Sequence, residues 1–119
     1  MHKILSLILE AKKKRNEVLQ MALLEPAMVE SIAASCIALI KETMEEGIRR
    51  GLPREAAWDF VTGHMTVQTA IIFEQLDWKM SDGAIQALAE AQPRVIQPDW
   101  KKLMDVDEVK ASVQRITGG

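Results

Sequence analysis

Residues 26–51 read PAMVESIAASCIALIKETMEEGIRRG. Within them Val29, Ile32, Ala33, Cys36, Ile37, Ile40, Met44 and Ile48 recur at steps of one, three or four. That spacing belongs to a helix and lacks the strict alternation of a half-buried strand. The stretch also carries its own ends. Pro26 suits a first helical turn, where a missing N–H is no loss. Arg49 and Arg50 suit the negative end of a helix, and Gly51 suits its C-terminal cap. From residue 32 to residue 40 no face carries a charge. A helix that is apolar all round is covered on several sides. In a chain of 119 residues, part of that cover is expected from another subunit.

Working outward, helical signals continue on both sides. Residues 2–24 form a first helix with apolar patches at Ile4, Leu5, Ile8 and Leu9 and at Val18, Leu19 and Leu23. Pro26 disfavours helical geometry at Glu25, so a break or kink is expected there. Pro53 opens a third helix, expected to end near Leu76. DWKMSDG (residues 77–83) is a connection in which Ser81 or Asp82 caps a short fourth helix over residues 83–91. QPRVIQP (residues 92–98) is expected to be extended, because both prolines restrict their neighbours. Asp99 could cap a brief turn over residues 100–104, and a last helix spans residues 107–116, with Gly118 and Gly119 fraying. Tyrosine is absent and β-branched clusters are few. The expectation is an all-α fold, a single helical domain of about five helices, forming an interlocked homodimer.

Composition bounds the function. A net charge of −2 does not favour nucleic acid, and the basic run Lys12, Lys13, Lys14 and Arg15 reads as a solvated helix face. The single cysteine, Cys36, excludes an intrachain disulfide and reads as a buried, inert thiol. The apolar run at residues 4–9 is short and followed at once by lysines, and no stretch approaches membrane-spanning length. The expected location is cytoplasmic, with no membrane or nucleic-acid partner.

Chemistry-bearing residues are sparse. In WDFVTGHMTVQTAIIF (residues 58–73), His64 shares a helix face with Phe60, Val61, Val67 and Gln68. A half-buried histidine bonded to a carbonyl or a neighbouring side chain is the simpler reading, and an acid–base or substrate-contacting histidine the sharper one. Gly63 beside it weakens the helix by about 1 kcal/mol against alanine, which close helix packing or a ligand would explain. Glu25 precedes Pro26 at a helix start, where the dipole favours a carboxylate. Glu42, Glu45 and Glu46 read as a solvated face. With only His2 and His64, no metal-ligand spacing exists, and there is no glycine-rich phosphate loop. Trp58, Trp78 and Trp100 read as core or interface anchors. The HKILSLIL string at residues 2–9 resembles the leucine-rich box of coactivator helices, and ordinary packing surface explains it.

Three stretches carry a resemblance: QMALLEPAMVES (residues 20–31), GIRRGLPREAAWDFVTGHMTVQTAIIF (47–73) and SDGAIQALAEAQPRVIQPDWKKLMDVDEVKASV (81–113). Together they resemble the C-terminal helical domain of phosphogluconate-dehydrogenase-like oxidoreductases, in the group that includes D-apionate oxidoisomerase. The likeness covers residues 20–119, while residues 1–19 match less well and form a separate N-terminal helix. The resemblance implies a domain that forms the dimer and closes the substrate cleft of an NAD(P)-dependent enzyme acting on a hydroxy acid. It implies cleft positions for His64, in the GH motif, and for Glu25, in EPA. The nucleotide-binding domain of the family is not in these residues, so this chain is expected to hold no cofactor, to be inactive alone, and to need that domain in cis or in trans. A free-standing or engineered helical binding or scaffold protein is the competing expectation, and an autonomous small enzyme using His64 a third.

Overall fold

The computed structural model describes residues 2–118, and those residues contain five α-helices and no strand. The helices are α1 (His2–Glu25), α2 (Ala34–Arg49), α3 (Arg54–Ile72), α4 (Asp82–Val95) and α5 (Val106–Thr117). A π-helical segment (Pro26–Ala33) joins α1 to α2, and a 3-10 turn (Trp100–Met104) precedes α5. The fold is all-α.

The expected break at Pro26 is absent. Glu25 keeps helical angles (φ −51°, ψ −49°), and the backbone passes through Pro26 by widening its turn. The Ala34 N–H donates to the Val29 carbonyl, five residues back, as a π-helix requires. A wider turn relieves the clash between a proline ring and the carbonyl four residues before it. Helix therefore runs unbroken over His2–Arg49, 48 residues. By length and composition alone this run contains a window apolar enough to cross a membrane, which corrects the expectation that no stretch approaches that length.

The chain forms two compact units. The first comprises Met1–Ser35 and Asp99–Gly119. Here α5 packs on α1, and the 3-10 turn packs on the π segment. Ala27 and Val109 are its buried residues, each 3% exposed. Every residue from His2 to Gln20 is exposed, the four basic residues of 12–15 among them. Asp99 stands before the 3-10 turn as expected, but it closes that turn with its backbone: its carbonyl accepts from the Lys102 N–H at 3.0 Å, and its side chain does not cap. The last helix runs one residue further at each end than expected, and Gly118 ends it in the left-handed region (φ 72°).

The second unit is Cys36–Pro98. Two chain reversals in it share one mechanism. After α2, the Leu52 N–H donates to the Gly47 carbonyl and the Gly51 N–H to the Ile48 carbonyl, with Gly51 at φ 113°. This paired closure satisfies carbonyls that a helix end leaves open. After α3 the same pair recurs, from Gln75 to Ala70 and from Glu74 to Ile71. There the left-handed residue is Glu74, at φ 58°, so α3 ends four residues before the expected Leu76. No glycine marks that end in the sequence.

Helix α4 begins as expected, with the Ala84 N–H donating to the Ser81 Oγ at 3.2 Å. It then continues through Pro93 to Val95, which corrects the extended reading of residues 92–95. A proline in the last turn removes one hydrogen bond and holds a φ that a helix accepts. The Ile96 N–H still reaches the Gln92 carbonyl. Met44 and Ala57 are the buried residues of this unit. They line an apolar crevice with Gly47, Leu52, Phe60 and Val61.

Candidate functional site

His64 lies in α3, on the face that also presents Ala56, Asp59, Phe60, Gly63 and Val67. These positions recur at three and four residues, and together they line an open groove along the helix. The imidazole is exposed, which corrects the half-buried expectation. The expected carbonyl partner is present: His64 Nδ1 lies 2.8 Å from the Phe60 carbonyl oxygen. The rings of Phe60 and His64 also touch, with centroids 4.3 Å apart and planes tilted by 40°.

Gly63 forms the floor beside this ring. A β-carbon built there would meet nothing within 4 Å beyond its own stretch of helix backbone. Packing within the chain therefore does not require glycine at this position.

Glu25 lies in the first unit, at the junction of α1 and the π segment, and is exposed. His64 belongs to the second unit. Near Glu25, Pro26, Ala27, Glu30 and Ser31 face Val109, Ser112, Val113 and Ile116 of α5 across a small groove.

Asp59 entered the groove unforeseen, because it sits five residues before His64 and off the usual same-face spacing. A charged cluster at the α2–α3 turn was also missed. Arg54 donates two parallel bonds to Glu45, at 3.0 and 3.1 Å, and holds that carboxyl below the usual carboxylate range. Glu46 is lowered by hydrogen bonds from Arg49 and then from Arg50. Opposite charges on either side of a Gly-Leu-Pro turn were the available signal. Cys36, read as buried, is exposed, and so are Trp58, Trp78 and Trp100. Among the described residues, no three His, Cys, Asp or Glu side chains could together hold a metal ion.

The family described as phosphogluconate dehydrogenase (decarboxylating) C-term matches residues 6–117. The chain belongs to that family. Relatives of this phosphogluconate dehydrogenase C-terminal type include a D-apionate oxidoisomerase of Cupriavidus necator, 43% identical over 103 residues, covering 87% of this chain and 37% of the relative. Another, a D-apionate oxidoisomerase of Rhizobium rhizogenes, is 40% identical over 106 residues, covering 89% of this chain and 38% of the relative. A solved structure with the same helical arrangement is a semialdehyde dehydrogenase NAD-binding protein from Cupriavidus necator, in complex with calcium and NAD. It superposes with a TM-score of 0.77 at 42% identity, over 82% of this chain and 35% of that one. The chain thus spans little more than a third of the length of the curated relatives it matches.

NAD is bound by that solved relative. The residues described here do not fit a dinucleotide site of their own, since such a site needs a strand, a glycine-rich turn and a helix in sequence. No strand occurs among them.

Proposed function

We propose that this chain is the dimer-forming, cleft-closing helical domain of an NAD(P)-dependent oxidoreductase that acts on a hydroxy acid. It works with a nucleotide-binding domain supplied in cis or in trans, and is inactive without one. The observation that carries this reading is unburied apolar surface. Hydrophobic residues are 48% of the sequence. Yet among the described residues Ala27, Met44, Ala57 and Val109 are the buried ones. Ile37, Leu39, Phe60, Phe73 and Trp78 all remain exposed. Exposed apolar surface on this scale marks an interface. A second copy packed against it forms the interlocked homodimer. His64 and Glu25 face the cleft, and the location is cytoplasmic with no membrane or nucleic-acid partner. The apolar window of the long helix is covered by protein in this reading, since Glu25, Pro26 and Glu30 lie in that helix.

Sedimentation or light scattering tests it. A dimer that persists on dilution is expected, and a stable monomer at high concentration would overturn it.

A second reading has its own observation. Residues 2–20 of α1 are exposed throughout. A free-standing helical binding protein would use that arm for a partner, and deleting residues 2–19 would then abolish binding while leaving the rest folded.

A further inference from the structure

We infer that the exposed arm of α1 docks antiparallel in the α3 groove of a second copy of this chain, with Ile8 over Gly63 and Lys12 against Asp59. This rests on the homodimer reading and names the contact that joins the two copies.

Charge points the arm toward the rest of the chain. Residues 2–20 carry five basic and two acidic side chains, whereas the whole chain carries 15 basic and 17 acidic ones. The arm is therefore positive and the remainder negative. Among the described residues, Lys12, Lys13, Lys14 and Arg15 make no ion pair. Glu55 and Asp59 of α3 make none either. Opposite charges left unpaired on two surfaces of one chain suit a contact between copies.

Apolar surface is divided in the same way. Leu5, Ile8, Lys12 and Arg15 recur at steps of three and four, so one stripe of the arm is first apolar and then cationic. All four are exposed. Along α3, Val67, Gly63, Asp59 and Glu55 recur at steps of four. The first three line the open groove, and the exposed Phe60 lines it beside them. The groove is thus apolar toward Val67 and acidic toward Glu55. Antiparallel docking sets Leu5 at Val67, Ile8 at Gly63, Lys12 at Asp59 and Arg15 at Glu55. The lengths agree: the ten steps from Leu5 to Arg15 rise about 15 Å, and the twelve from Glu55 to Val67 about 18 Å. Long, flexible cationic side chains absorb that difference. Parallel docking would instead set Leu5 and Ile8 against carboxylates. Gly63 offers bare backbone to Ile8, which lets the helix axes approach to about 8 Å, the near end of the usual range. An amphipathic helix laid in a groove is a recurring mode of recognition. In a two-fold dimer the contact occurs twice, each copy giving an arm and receiving one.

Crosslinking tests the register, on the full chain with Cys36→Ser. Lys12→Cys is placed in one chain and Asp59→Cys in another of different mass, and the two are mixed under mild oxidation. A disulfide between the unlike chains is expected. Crosslinks only between like chains, or none, overturn the inference. An arm lying on its own α3 also gives none, since neither chain carries both cysteines.

Charge reversal gives a second measurement. Lys12→Glu and Asp59→Lys should each weaken association by about tenfold, and the two together in one chain should recover most of it. Single variants that associate as tightly as the unaltered chain overturn the inference, and so does a double variant that recovers nothing. A dimer that survives those failures leaves the homodimer reading standing, whereas a stable monomer at high concentration overturns both.

Discussion

Arg54, in the first turn of α3, clasps Glu45 of α2 with two parallel hydrogen bonds, at 3.0 and 3.1 Å. The pair bridges the turn around Gly51 and ties the start of one helix to the end of the other. Both side chains remain solvent-accessible, so the link is weaker than its geometry suggests.

Its pH dependence has a definite sign. The folded-state pKa of Glu45 is lowered, first by the hydrogen bond from Arg54. The stabilisation is therefore present above the unfolded value of about 4.3 and fades as pH falls through the lower folded value. Arg54→Gln should lower stability slightly at pH 7 and leave it unchanged at pH 2. Urea titrations at the two pH values check this, and an equal loss at both would contradict it.

The left-handed positions that end α2 and α3 should respond oppositely to substitution. Gly51→Ala puts a β-carbon at φ 113° and should destabilise by about 1–2 kcal/mol. Glu74→Gly relieves φ 58° and should stabilise by about 1 kcal/mol. Paired denaturant midpoints decide both.

Ser81→Ala removes the acceptor for the Ala84 N–H and should cost about 1 kcal/mol. Ser81→Asp keeps an acceptor and should recover most of it. A hydrogen-exchange rate at Ala84 that rises in the alanine variant and returns in the aspartate variant would locate the effect at this cap.

Gly63→Ala separates stability from use. Beyond its own stretch of helix backbone the new β-carbon meets nothing within 4 Å, so the helix should gain up to about 1 kcal/mol. If a ligand or a second copy closes on this floor, the same change should weaken that association. A variant more stable to heat and equally competent in assembly and turnover would show that glycine at 63 serves neither.

The helices were legible where local chemistry agreed with the fold. The spacing of Val29 to Ile48, the Ser81 cap and the Gly51 stop each announce an element, and each element is present. Proline misled twice. At Pro26 the helix widens, and at Pro93 the ring sits in a final turn that tolerates it. The end of α3 was hidden because Glu74 occupies a position usually marked by glycine. At the site, the Phe60 carbonyl was readable, since residues four apart on a helix meet. The exposure of His64 was not, because apolar neighbours in sequence suggest burial and this chain leaves them uncovered.

The π-helical segment at Pro26–Ala33 has an implication for lineage as well as shape. A wide turn accommodates a surplus residue inside a helix without interrupting it. Removing one residue there, Pro26 for example, should let the backbone contract to ordinary α-helical pitch instead of unravelling. Insertions and deletions among relatives would then be absorbed at this point, leaving the flanking helices intact while altering the phase of their side chains.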